Sequence, residues 1–110
     1  MNNCIFCKIN KGIVPSEKLY EDQDVFIIKD ANPRAKKHYL MIPKNHYKLL
    51  ADMSSEDSFA LAHALKNLPS LASKLGLENG YRLVINQGED ASQTVFHLHI
   101  HIMGGEKLPV

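Results

Sequence analysis

Three histidines alternate with apolar residues in the stretch FHLHIHIMGG, residues 96–105. Strict alternation is typical of a half-buried strand, because successive side chains point to opposite faces of a sheet. The spacing therefore places His97, His99 and His101 on one face, roughly 6.6 Å apart at each step of two residues. Repeated imidazole on one face indicates acid–base, nucleophilic or metal-ligand chemistry. The opposite face is predicted to pack on the core, and its members are Phe96, Leu98, Ile100 and Ile102.

A pair of cysteines, Cys4 and Cys7, lies in the stretch CIFCKI. Two close cysteines in a reducing compartment favour metal or redox chemistry over a structural disulfide. A thioredoxin-like redox motif would follow a strand, whereas three residues precede Cys4. One pair supplies two thiolates, so a closed zinc site needs two further ligands from elsewhere in the chain. Two incidental thiols remain the alternative.

The stretch NQGEDASQTVF, residues 86–96, leads into residues 96–105, which carry the three alternating histidines and form the histidine segment. It is small and polar, and Gly88 adds backbone freedom, so the stretch can present N–H groups and hydroxyls to an anion. Residues 92–95 lie just before His97, with Phe96 between them. Phosphate donors would then lie beside a nucleophile, although an ordinary surface loop has the same composition.

Length and composition limit the classes of function. A chain of 110 residues fits one domain, residues 1–110, and its 45% hydrophobic and 23% charged content is typical of a globular protein. A net charge of +1 gives no electrostatic reason to expect binding to nucleic acid or to a membrane surface. No apolar run approaches the roughly 20 residues of a membrane span. The N-terminal residues lack the pattern of a signal peptide, so the expected location is the cytoplasm.

The remaining patterns predict an α+β protein with a largely antiparallel sheet. CIFCKINKG predicts a short helical turn closed by Gly12. A main helix is predicted to start at Ser54, with Asp57 in a capping-box position, and Pro69 should kink or split it. Its apolar stripe consists of Leu61, Leu65, Leu68, Leu71 and Leu75. Strands are predicted at 17–22, 24–30, 38–44 (ending at Pro43), 81–86 and 94–103.

The stretch QTVFHLHIHIMGG resembles the His-φ-His-φ-His-φ-φ signature of the histidine triad (HIT) superfamily, in its Hint branch of nucleotide-binding phosphoramidases. The likeness continues through CIFCKI, VFIIKDANP, HYLMIPKNH and NGYRLVINQG, in family order over nearly the whole chain. The resemblance implies a HIT-like α+β fold, with two five-stranded halves joining their sheets in a homodimer. It also implies binding of a purine nucleotide such as an AMP or GMP conjugate, with the α-phosphate at the triad.

The resemblance assigns roles to the histidines. His99 takes the central position and would attack the α-phosphorus of a nucleoside phosphoramidate or related adenylate, giving a nucleotidyl-histidine that water hydrolyses. His101 would contact the phosphate and serve as a proton source for the leaving amine, and His38 would support the site. Asp30 matches the acid that hydrogen-bonds the ribose. Further nucleotide-binding residues are expected in the loop at residues 86–96, which would bind the phosphate, and these are Asn86, Gln93, Thr94 and Val95. The pocket for the base is expected to consist of Ile5, Phe6, Ile9 and Ile28.

Many bacterial members of the superfamily bind zinc through Cys-x-x-Cys and two histidines. The matching residues here are Cys4, Cys7, His46 and His97, which would hold one structural zinc per chain. A competing arrangement chelates a metal through His97 and His99, because neighbours two apart on a strand can share an ion. His63 is expected to be a surface residue.

Three functions remain open at this stage. The first is a hydrolase of the purine nucleoside phosphoramidase type. The second is another HIT reaction, such as dinucleoside polyphosphate hydrolysis or nucleotidyl transfer. The third is a nucleotide-binding or protein-interaction module in which catalysis is vestigial.

Overall fold

A computed structural model describes residues 3–110 of the chain. It contains a five-stranded antiparallel sheet in the order β1-β2-β3-β5-β4. The strands are β1 (Tyr20–Glu21), β2 (Val25–Lys29), β3 (Lys37–Pro43), β4 (Tyr81–Val84) and β5 (Ile100–Gly104). The helices are α1 (Ile5–Asn10) and α2 (Ser55–Asn67), and short 3₁₀ turns span Leu50–Asp52, Leu68–Leu71 and Glu89–Ala91. The α+β prediction, with one main helix and a short N-terminal helix, is confirmed.

Helix α2 begins where its sequence predicts, but it ends before the predicted leucine stripe does, since Leu71 lies in a 3₁₀ turn and Leu75 beyond it. The Ser54 side chain accepts the Asp57 N–H at 3.0 Å, and the Asp57 carboxylate accepts the Ser54 N–H at 3.2 Å, which completes a capping box. The helix ends at Asn67, and Pro69 falls at the start of a 3₁₀ turn, because proline cannot donate to a continuing α-helix. No helix within residues 3–110 is both long and apolar enough to cross a lipid bilayer.

The two faces of the sheet pack on different partners. Val25 and Ile27 of β2 belong to the core cluster that includes Leu61 and Leu68. Phe26 and Ile28 point the other way, into a second cluster formed with α1. Because both faces are covered, β2 is a continuous apolar run rather than an alternating one.

The candidate site lies on the α1 face of the sheet. In the β3–β5 register Leu40 pairs with His101, and His38 pairs with Met103. Directly opposed residues share a face, and Leu40 belongs to the cluster packed against α1. The side chains of His38 and His101 therefore lie on the face of the sheet that α1 partly covers.

The histidine segment forms a shorter strand than its alternation predicts. Strand β5 begins at Ile100, and Phe96, predicted to be core, is 54% exposed. The prediction of a strand over 94–103 is therefore wrong for its first half. The β3–β5 ladder would continue toward Pro43, which has no N–H to donate, and the Leu98 N–H bonds to the Tyr47 carbonyl at 2.8 Å instead. Three predicted core members are buried as expected: Leu98, Ile100 and Ile102.

Candidate active site

Four sulfur and nitrogen donors converge where α1 meets the histidine segment. The Nδ1 atom of His97 lies 3.2 Å from the Cys4 Sγ, 3.6 Å from the Cys7 Sγ and 3.1 Å from the Nδ1 of His46. The Cys7 Sγ lies 3.3 Å from the same His46 atom. All four donor atoms lie within 4.8 Å of one another. Tetrahedral zinc, with bonds of roughly 2.3 Å to sulfur and 2.0–2.1 Å to nitrogen, separates its ligand atoms by roughly 3.3–3.8 Å, so this donor set fits zinc.

His97 is oriented toward these thiols by a backbone carbonyl. Its Nε2–H donates to the Pro43 carbonyl at 2.7 Å, which leaves the Nδ1 lone pair facing the sulfur atoms. Burial lowers the pKa of His97 to about 4, and burial also lowers the pKa of His46. Both imidazoles are therefore neutral near pH 7, the form in which histidine ligates a metal. The alternative in which His97 and His99 chelate one ion lacks this convergence, since Nδ1 of His97 faces the thiols and His99 lies outside the cluster.

His99 has the geometry of a nucleophile. Its Nδ1–H donates to the backbone carbonyl of His97 at 2.8 Å, so the lone pair of neutral His99 is on Nε2. The ring of Phe6 packs edge-on against it, with centroids 5.2 Å apart and an interplanar angle of 69°. Phe6 also contacts the ring of His97, at 5.7 Å and 88°. One side chain of α1 therefore touches both the metal-ligand candidate and the candidate nucleophile.

His101 and His38 form a buried imidazole pair next to Asp30. The Nε2 of His38 lies 2.9 Å from the Nδ1 of His101 and 3.3 Å from the Asp30 Oδ2. Burial lowers the pKa of His101 to about 4, helped by repulsion from His99 and His38, and burial also lowers the pKa of His38. Both rings are neutral near pH 7, so hydrogen bonds rather than full charges determine what His101 offers to a ligand.

A groove of about 1060 Å³ opens over this part of the sheet. Its lining combines apolar side chains of α1 and β2 with side chains of the histidine segment and of the loop before it. The groove brings together every residue expected to contact nucleotide or to act in catalysis except His38, which lies behind His101. Its lining includes Ile5, Phe6, Ile9, Ile28, Asp30, Asn86, Gln93, Thr94, Val95, His99 and His101.

Gln93 lines the groove and also holds the conformation of the loop at residues 86–96 through hydrogen bonds. Its Oε1 accepts the Gly88 N–H at 2.8 Å, and its Nε2 donates to the carbonyls of Lys48 at 3.0 Å and Val95 at 3.2 Å. Both amide hydrogens are thus used within the protein. Ser92 adopts a left-handed conformation, with φ of 60°, and turns the chain toward the groove.

Residues 3–108 match the family model described as "Scavenger mRNA decapping enzyme C-term binding". An uncharacterized HIT-like protein from Chlamydia muridarum is 48% identical, over 92% of this chain and 80% of its own length. The chain belongs to the histidine triad superfamily. A HIT family hydrolase from Clostridium thermocellum superposes with a TM-score of 0.91 at 43% identity, over 100% of this chain and 96% of its own. A Zn-bound histidine triad family protein from Mycobacterium smegmatis gives 0.79 at 36% identity, over 93% and 74%. These neighbours confirm the HIT-like fold.

The structure adds residues to the histidine triad site that sequence reasoning missed. Ser16, Arg34 and Met103 also line the groove. Arg34 carried a usable signal, since it is a basic residue directly after the VFIIKDANP stretch and four positions before His38. Met103 could have been found from the alternation, since it lies two residues after His101 and so on the same predicted strand face. Nothing in the sequence around Ser16 indicates its position. His63 is exposed, as expected.

Proposed function

We propose that this histidine triad protein hydrolyses purine nucleoside phosphoramidates or related adenylates at the α-phosphorus. The observation that carries the proposal is the orientation of His99 in the groove. Its Nδ1–H is held by the carbonyl of His97 at 2.8 Å, which leaves Nε2 as the nucleophilic atom. The Clostridium thermocellum neighbour, a HIT family hydrolase, supports hydrolysis as the reaction type.

The groove can hold the three parts of a nucleotide in order. Ile5, Phe6, Ile9 and Ile28 offer an apolar slot for the base. Asp30 would accept hydrogen bonds from the ribose hydroxyls. Donors of the loop that includes Asn86 and Thr94 would bind the phosphate beside the two groove-lining histidines. A slot for each part holds the phosphorus near the nucleophile and lowers the entropic cost of reaction.

The reaction would proceed in two displacements. The Nε2 lone pair of His99 forms a bond to the α-phosphorus while the phosphorus–nitrogen bond to the leaving amine breaks, and the amine takes up a proton from solvent. Water then attacks the same phosphorus and releases a proton to solvent, the bond to His99 breaks, and the nucleoside monophosphate leaves. A covalent intermediate replaces one difficult displacement with two easier ones. His101, next to His99 at 5.1 Å between ring centroids, would contact the phosphate in both steps.

We further propose that Cys4, Cys7, His46 and His97 bind one structural zinc. The convergence of their donor atoms and the Zn-bound Mycobacterium smegmatis neighbour support this. When bound, the ion would tie α1 to the histidine segment and so keep Phe6 against His99. It would take no part in the displacement, because its ligands do not line the groove.

A homodimer is the expected assembly. Strand β4 lies at the edge of the sheet with its other edge unpaired within residues 3–110, and Leu83 on this strand is 41% exposed. A second copy that pairs there or packs on α2, where Phe59 is 77% exposed, would cover this apolar surface.

The function is tested with adenosine phosphoramidate beside a diadenosine polyphosphate as substrates. Turnover of the phosphoramidate is expected, and His99→Gly should abolish it while nucleotide binding is kept. Rapidly quenched wild-type protein should carry a nucleotide on His99 by mass spectrometry, and His63→Ala, at an exposed position, serves as the control. An adduct on His97 or His101 would contradict the assignment. Efficient turnover of the polyphosphate alone would identify a different HIT reaction.

A further inference from the structure

One backbone amide determines the protonation pattern of the His38–His101 pair. The Arg34 N–H donates to the Nδ1 of His38 at 3.0 Å. A backbone N–H can only donate, so Nδ1 of His38 is an acceptor and carries no proton. Neutral His38 must therefore hold its proton on Nε2.

The position of Asp30 is compatible with the same tautomer. Its Oδ2 lies 3.3 Å from the Nε2 of His38, and a carboxylate can only accept. The other oxygen, Oδ1, accepts the Asn32 N–H at 2.8 Å, which fixes the carboxylate in the turn before β3. The Arg34 amide thus fixes the tautomer of His38, and the Asp30 carboxylate, whose Oδ2 also lies 3.7 Å from the Nδ1 of His101, is compatible with it.

The tautomer of His38 then dictates that of His101. Since Nε2 of His38 carries hydrogen and lies 2.9 Å from the Nδ1 of His101, that Nδ1 must accept. Neutral His101 therefore holds its proton on Nε2. This nitrogen has no hydrogen-bond partner among the described residues. Since no fully buried side-chain nitrogen or oxygen there lacks a partner, Nε2 is accessible from the groove that His101 lines.

We propose that His38 is a positioning residue that fixes His101 as an Nε2–H donor toward the bound phosphate. The two rings are linked by a series of hydrogen bonds that starts at the Arg34 amide. His99 has the opposite tautomer, because its Nδ1–H is held by a backbone carbonyl. His99 therefore presents a lone pair to the substrate, and His101 presents a hydrogen. This inference rests on the proposed function for its catalytic meaning, but the tautomers themselves do not depend on it.

The test compares three substitutions at His38. In His38→Gln the amide can still donate to Nδ1 of His101. In His38→Glu a carboxylate of similar shape can only accept, and in His38→Leu neither is possible. Two-bond ¹H–¹⁵N correlation spectra of nucleotide-free protein, labelled at histidine and kept in its zinc-loaded form, report which ring nitrogen carries hydrogen.

Wild type and His38→Gln should both show His101 protonated on Nε2. His38→Glu should place a proton on Nδ1, and His38→Leu should show a mixture of the two tautomers. With adenosine phosphoramidate, His38→Gln should keep kcat within about tenfold of wild type, whereas His38→Leu should lose about 10²-fold, the size expected for one preorganised donor.

The proposal is overturned if wild-type His101 carries its proton on Nδ1, or if Gln and Glu at position 38 give the same tautomer. If His38→Glu does not fold, the Gln and Leu variants still differ in their expected spectra. Absence of phosphoramidate turnover in wild type, with the expected tautomers present, would refute the proposed substrate and leave the hydrogen-bond chain intact.

Discussion

Acid should destabilise this protein through His101. The residue is 7% exposed, and burial next to His99 and His38 lowers its pKa to about 4. An unfolded chain has the ordinary value of about 6.5, so the unfolded state binds the proton more tightly. The stability that neutral His101 preserves is fully present above pH 6.5 and is lost progressively as the pH falls from 6.5 to 4. The gap of about 2.5 pKa units corresponds to about 3 kcal/mol in full, and to about 2 kcal/mol at pH 5.

The assay is urea unfolding of wild type and His101→Gln at pH 7 and pH 5. Between these two pH values, wild type should lose about 2 kcal/mol more than the variant, because glutamine has no proton to gain. The thiol–imidazole cluster of Cys4, Cys7, His46 and His97 is the same in both proteins, so its own pH response cancels in the comparison. His63→Gln, at an exposed position, should follow wild type. Parallel pH dependences of wild type and His101→Gln would refute the reasoning.

Two further predictions concern the metal and the assembly. Exchange of Cys4 and Cys7 for Ser should remove about one zinc per chain and lower the melting temperature, because zinc binding adds to folding free energy. Metal that is retained in the double-serine variant but lost from His99→Ala would move the ion to the triad. Sedimentation at micromolar concentration should give a dimer, which Leu83→Lys on the edge strand should dissociate. Ile13→Lys, which alters an apolar residue 67% exposed outside α2 and β4, should leave it intact, and a monomeric wild type would contradict the prediction.

Local signals in the sequence were sufficient where local physics decides the structure. Ser54 predicted the start of α2, because capping acts within one turn. Pro69 was predicted to kink or split a longer helix, and the α-helix ends just before it, because the missing N–H also acts within one turn. The alternation predicted the burial of Ile100 and Ile102. It failed for Phe96, because the start of β5 depends on a partner strand that ends at Pro43, more than fifty residues away in sequence.

The site shows the same division. Spacing indicated that the histidines act together, but the resemblance, and not the spacing, supplied His46 as a partner for the cysteines. The tautomer of His101 could not be predicted from sequence, since it depends on the fold placing the Arg34 amide and His38 at 3.0 Å. Hydrogen-bond direction is a property of three-dimensional contacts, and no residue pattern encodes it.

The thiol–imidazole cluster joins residues that a ribosome makes at very different times. Cys4 and the histidine that it faces, His97, are 93 positions apart. At about 5–20 residues per second, roughly 5 to 20 s pass between their synthesis. During that interval the cysteines and His46 can offer at most three of the four ligands, and α1 has no histidine segment on which to dock. The nascent chain would therefore carry both thiols without the fourth ligand until translation has nearly passed the triad, so capture of the proposed zinc and closure of the active site would be late events in the production of this protein.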